Sequence, residues 1–184
     1  MPATRPKPRR SATPAADLLR QILQSQFEAS LSMLRRCIRA CPARHWESTI
    51  ASATVRQIAY HTLFYTDFYL SPGEDTFQLR GLHARGGDER GPTLSPGLTQ
   101  TQILAYVTIC RRKAREILSA ETPVSLDGPC GFSRLIKLSR AELHIYSIRH
   151  IQHHTGAIAA HLRRIAPVLQ GAKSLRWIGQ GWHP

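Results

Sequence analysis

Several things are scarce in this chain, and each scarcity excludes something. No apolar run approaches the length needed to cross a bilayer. No apolar signal-peptide core follows the basic start, so secretion is not expected. Strand-period stretches of any length are missing, as are internal repeats, which points away from β architectures. Cysteines number only 4 in 184 residues, too few for a disulfide framework, and a reducing cytoplasmic location is expected. Acidic residues are also few. The 25 Lys and Arg outweigh 12 Asp and Glu, for a net charge of +13. Such an excess suits anionic partners. However, Arg35, Arg36 and Arg39, then Arg111, Arg112, Lys113 and Arg115, then Arg163 and Arg164 fall in later helical turns, where cations complement the helix dipole. No helix has a wholly basic polar face interleaved with aromatics, so nucleic-acid binding is not expected.

What is present is helical periodicity. Residues 1–13 form a Pro/Arg tail with nothing to bury, expected to be disordered. A single domain is expected over 14–184, long enough for a real core. Thr13-Pro14 supplies a helix start, and Leu19, Ile22, Leu23, Phe27, Leu31, Leu34 and Ile38 form an apolar stripe up to Pro42. Trp46 is expected to lie over one end of the core. Thr54-x-x-Gln57 is a capping box opening a second helix, VRQIAYHTLFYTDFYLS, which Pro72-Gly73 stops. The Gly/Pro-rich stretch 72–98 is too long for a hairpin connection and suits a crossover or a flap. Thr99-x-x-Gln102 caps a third helix running to about Ala120, with Ile103, Tyr106, Val107, Cys110, Ala114, Ile117 and Leu118 inward. Residues 121–138 read as irregular. Ser139-x-x-Glu142 caps the last long helix, to Ile165, and Trp177, Ile178 and Trp182 are expected to fold back. Four amphipathic helices with two long connections predict an all-α four-helix bundle.

The chemistry concentrates in that last helix, SRAELHIYSIRHIQHHTGAIAAHLRRI. Its apolar seam is read as Leu143, Tyr146 or Ser147, His150, His154, Ala157, His161 and Ile165. His150 and His154 are one turn apart, so both rings leave one side of the helix. Two imidazoles at core positions need partners, and a metal ion would supply one for both. His61, mid-helix among large aromatics, is the candidate third ligand. Three neutral imidazoles with an open vertex suit Zn²⁺, with Ni or Fe as acceptable alternatives. His153 points to solvent. His161 lies too far along to join the ion and is read as a satisfied core residue. Glu142 is read as a cap, and Tyr65 and Tyr146 as pocket-lining or packing groups. Cys37 and Cys41 are read as core fillers before a ligand pair.

The pattern His150-x-x-x-His154-x-Gly156, with a histidine in the second helix, resembles the DinB-like superfamily of DNA-damage-inducible bacterial proteins. The stretches IAYHTLFYTDFYL (58–70) and ELHIYSIRHIQHHTG (142–156) look like an uncharacterised branch of it, and the resemblance covers roughly 14–166. It implies a four-helix bundle, a divalent metal on His61, His150 and His154, and a homodimer. It further implies a metal-dependent enzyme, either a thiol-dependent transferase or isomerase or a hydrolase. In such an enzyme, bound metal turns water or a thiol into the nucleophile. One departure stands out: the family often carries Gln or Asn where this chain has Ala157, so no particular thiol cofactor follows. The competing expectation is a non-catalytic stress-response or binding module that the metal braces, with an acidic partner for the positive charge.

Overall fold

A computed structural model of the chain describes residues 15–81, 97–132, 134, 136–166 and 169. The basic tail, the Thr13-Pro14 helix start, most of the 72–98 connection and the three C-terminal apolar residues lie outside the described residues. Those described are overwhelmingly helical, and the fold is all-α. Helix α1 spans Ala15–Ala40, α2 Val55–Tyr69, α3 Gln100–Ala120, α4 Pro123–Asp127 and α5 Arg140–Ile165.

The caps set the boundaries. Thr54, Thr99 and Ser139 each accept a hydrogen bond from the backbone three residues on, and the side chains of Gln57, Gln102 and Glu142 accept one in return from the cap's own N–H. Each such cap stabilises its helix by roughly 1 kcal/mol. Glu142 is therefore a capping residue, as the spacing predicts. The 121–138 connection is less irregular than expected. Thr122-x-x-Ser125 is a further capping box, and Pro123 sits at the start of the one-turn-plus helix α4. A two-residue hairpin, Thr49–Ile50 on Ala53–Thr54, turns the chain from α1 into α2.

The packed pairs are α1 on α3, α1 on α5, α2 on α5 and α2 on α3. Each long helix thus lies against two others. One core runs between them, built on Phe27, Leu31, Leu34, Leu63, Ile103 and Tyr106. The α1 stripe is inward except at Ile22, which is 48% exposed. Trp46 does close one end: it is buried and donates from Nε1 to the Leu98 carbonyl at 3.2 Å. Nearby, the Gln100 amide donates to the carbonyls of Ile38 and Cys41, capping the C-terminus of α1 from α3.

The seam of α5 differs from the expected one. The residues that reach the core are Leu143, Ser147, Ile151, Thr155, Ile158 and Leu162, at steps of four and three. His150 and His154 sit on its shoulder, half-buried, on the side that meets α2. Two overlapping stripes, one residue apart, fit the same period, and the more apolar one took the centre. Ala157 and Ile165 are only half-buried for the same reason.

Candidate metal centre between two helices

His61 lies in the middle of α2, and His150 and His154 one turn apart on α5. The packing of α2 on α5 brings all three rings together. His150 Nε2 is 3.3 Å from His61 Nε2 and 3.1 Å from His154 Nε2. Candidate donor atoms of all three rings lie within 4.8 Å of one another. His61 stands edge-on to His154 and tilted to His150. Aromatic neighbours hold the rings: Tyr65 lies 4.8 Å from His61 between ring centres, and Tyr146 stacks on His150 at 12°.

These contacts are not satisfactory hydrogen bonds among themselves. A neutral imidazole nitrogen either carries a proton or offers one in-plane lone pair. His150 Nε2 faces two other nitrogens, so it cannot serve both. Burial makes a shared positive charge expensive. It drives His150 down to about 3 and His154 down to about 4, helped by the neighbouring rings, and it lowers His61 as well. Each ring is therefore neutral and has one lone pair to offer. Two nitrogens bound to one tetrahedral zinc at 2.0–2.1 Å stand about 3.3 Å apart, which is the spacing found here. The donor set and its geometry fit a divalent ion. His61 Nδ1 is buried with no hydrogen-bond partner among the described residues, so packing rather than an outer carboxylate orients that ring.

A pocket of about 190 Å³ opens beside the triad, lined by His61, His150, Tyr65, Tyr69 and Tyr146. Tyr65 and Tyr146 therefore line the pocket. Tyr69, one turn after Tyr65, escaped the sequence reading; its i+4 spacing from Tyr65 was the available signal. Burial pushes its phenol up, with Tyr146 and Tyr65 adding to the shift, and it shares a hydrogen bond with Tyr146.

His153 and His161 fall as expected. His153 is exposed. His161 is buried and satisfied: Ser48 Oγ lies 3.0 Å from its Nε2, and Arg164 reaches its Nδ1 at 3.4 Å. Cys37 and Cys41 are free and buried, and burial pushes their thiols up to about 12 and about 11, which suits core filling.

Two buried ionic clusters were missed. Asp67 is fully buried and receives Arg80, Lys113 and the Tyr106 hydroxyl. Glu121 receives Arg140 and His144, both at 2.9 Å on Oε1, and Ser125 on Oε2. Arg140 also donates to the carbonyls of Tyr69, Leu70 and Ser71, closing the end of α2. One signal was visible in the sequence: a cation at the first position of a helix opposes the dipole and needs another partner.

Comparison with protein-family models, curated proteins and solved structures finds no match to this chain. No helix of the described residues is long and apolar enough to cross a membrane.

Proposed function

We propose that the chain is a four-helix bundle of the DinB-like type, holding one divalent metal ion on His61, His150 and His154, and that it acts as a metal-dependent enzyme. The observation that carries the reading is His150 Nε2 facing two imidazole nitrogens at 3.1 and 3.3 Å, an arrangement one ion satisfies and no proton does. The cyclic packing of four long helices supports the bundle, and three nitrogen ligands with an open position suit zinc, with nickel or iron as alternatives. The resemblance in residues 58–70 and 142–156 supports the family and a homodimer.

When bound, such an ion lowers the pKa of a coordinated water or thiol toward neutrality. The chain's own part is to bind and orient. The triad sits on two rigid helices, Tyr65 and Tyr146 fix the rings, and the core behind them excludes water. The pocket beside the ligands favours a working site over a brace, because a bracing ion needs no open space next to it. Transferase or hydrolase chemistry in the cytoplasm is the class that fits.

Elemental analysis of the purified protein beside His61→Ala, His150→Ala and His154→Ala tests this directly. The expected result is about one metal ion per chain in the wild type and loss of it in each variant, with helicity retained. Stoichiometric metal in all three variants would sink the site. Metal that chelation removes at a large thermal cost, with no exchangeable water, would leave the bracing module for an acidic partner in place of the enzyme.

A further inference from the structure

The histidine site, once loaded, leaves a charge unbalanced. Imidazoles must be neutral to ligate, so three of them bring no charge to a divalent ion. The charged or chargeable groups that act on these rings are one another and His153; no carboxylate of the described residues does. Asp67, six residues along α2 from His61, is held by Lys113 and Arg80. Glu142 is tied to Ser139 at the start of α5. Two positive charges beside a low-dielectric core are costly without a counter-charge, which an anionic ligand can supply.

The pocket indicates what kind of anion. Apart from the two imidazoles its lining is Tyr65, Tyr69 and Tyr146. Tyr69 stands edge-on to Tyr146 at 5.7 Å between ring centres and 5.5 Å from Tyr65, so the three phenols form one wall. A neutral phenol donates one hydrogen bond, and an oxygen anion is a strong acceptor for it. Among the described residues no Arg or Lys lines the pocket, which disfavours a phosphate dianion. Its volume of about 190 Å³ falls below the usual range for drug-sized ligands and admits only a small group.

We propose that the tyrosine-walled pocket is a subsite for a small carboxylate, either free or as the head group of a substrate, bound between the metal position and the phenol hydroxyls. The proposal rests on the metal reading above. It adds a ligand class and assigns the Tyr146 hydroxyl as its hydrogen-bond donor, with Tyr69, which hydrogen-bonds Tyr146, behind it.

The test uses the full chain loaded with Co²⁺, whose visible absorption reports its coordination. Stoichiometric cobalt that depends on His154 is the first arm. Acetate is then titrated into the wild type and into the Tyr69→Phe/Tyr146→Phe variant, which keeps both rings. Acetate should change the cobalt spectrum saturably, and the variant should bind it about tenfold or more weakly, as expected for lost hydrogen bonds to a charged group. If cobalt does not bind, the metal reading fails and the subsite with it. If cobalt binds but acetate leaves the spectrum unchanged, or binds both proteins equally, the subsite alone is overturned. A response to 2-mercaptoethanol without one to acetate likewise overturns the carboxylate assignment and leaves a thiolate site.

Discussion

His144 and His150 lie six residues apart on one helix, both withdrawn from solvent, and their surroundings are opposite. His144 Nε2 meets Glu121 Oε1 at 2.9 Å, inside a cluster where Arg140 and Ser125 complete the carboxylate. Burial and the Arg140 charge keep His144 neutral despite the carboxylate, so it enters as a donor. His150 meets two other imidazoles and, among the described residues, no acid. In the first region both carboxylate oxygens and the guanidinium are answered by the protein. In the second, three imidazole nitrogens converge where their own hydrogen bonds cannot satisfy them all. A buried polar group answered by its own chain is holding the fold, and one answered by nothing of opposite character is waiting for a ligand.

The largest expected effect breaks the closed region. Arg140→Met removes a buried guanidinium from Glu121 and from three carbonyls at the end of α2. It should destabilise the protein by about 3–5 kcal/mol in urea denaturation, because the carboxylate is left buried and uncompensated. A cost below about 1 kcal/mol would erase the contrast with the histidine site.

The open region should respond to metal instead. Zinc at about 100-fold excess over its dissociation constant should stabilise the wild type by about 2.7 kcal/mol and leave His150→Ala almost unmoved. Thermal unfolding with and without a chelator reads this. An equal response of His144→Ala and His150→Ala would merge the two regions.

Next comes the seam between the loops flanking α2 and α5. Gly131 has φ +80°, and a Cβ there would stand 2.1 Å from the Pro72 carbonyl oxygen. Gly131→Ala should cost roughly 1–3 kcal/mol through the strained backbone, measured again in urea. Since this crossing adjoins the closed cluster, zinc binding should survive the change.

The smallest effect is one of acidity. Burial raises the Glu121 carboxyl, but hydrogen bonds from His144, Ser125 and Arg140 and the Arg140 charge outweigh it and hold the group down at about 2, against an ordinary 4.5. A depressed folded-state value means this stabilisation is complete above pH 4.5 and is lost as the pH falls toward 2. The urea midpoint should decline across that window, and Glu121→Gln should flatten the decline. An unchanged slope in the variant would place the acid sensitivity elsewhere.

The four long helices and three of their capping boxes were legible in the chain, because caps and apolar periods are local or nearly so; His61, His150 and His154 were legible only as candidates, and the packing of α2 on α5 groups them. The short helix α4 was hidden in a stretch rich in Gly and Pro. The centre of the α5 face was placed one residue off, because Leu143–Ser147–Ile151 and Tyr146–His150–His154 share the same period. Which stripe faces inward depends on what the neighbouring helices present, and that lies far along the chain.

By itself, then, the sequence determined where the helices begin, that the fold is all-α, and that three histidines occupy positions from which they can meet. Only the packing of α2 against α5 decided that the Nε2 atoms converge to 3.1 and 3.3 Å, that Tyr69 joins the pocket, and that Asp67 and Glu121 are buried with cations. The physical reason is range. Hydrogen bonds within a helix are set by residues three or four apart, whereas a buried charge or an open donor set is completed by partners dozens of residues away.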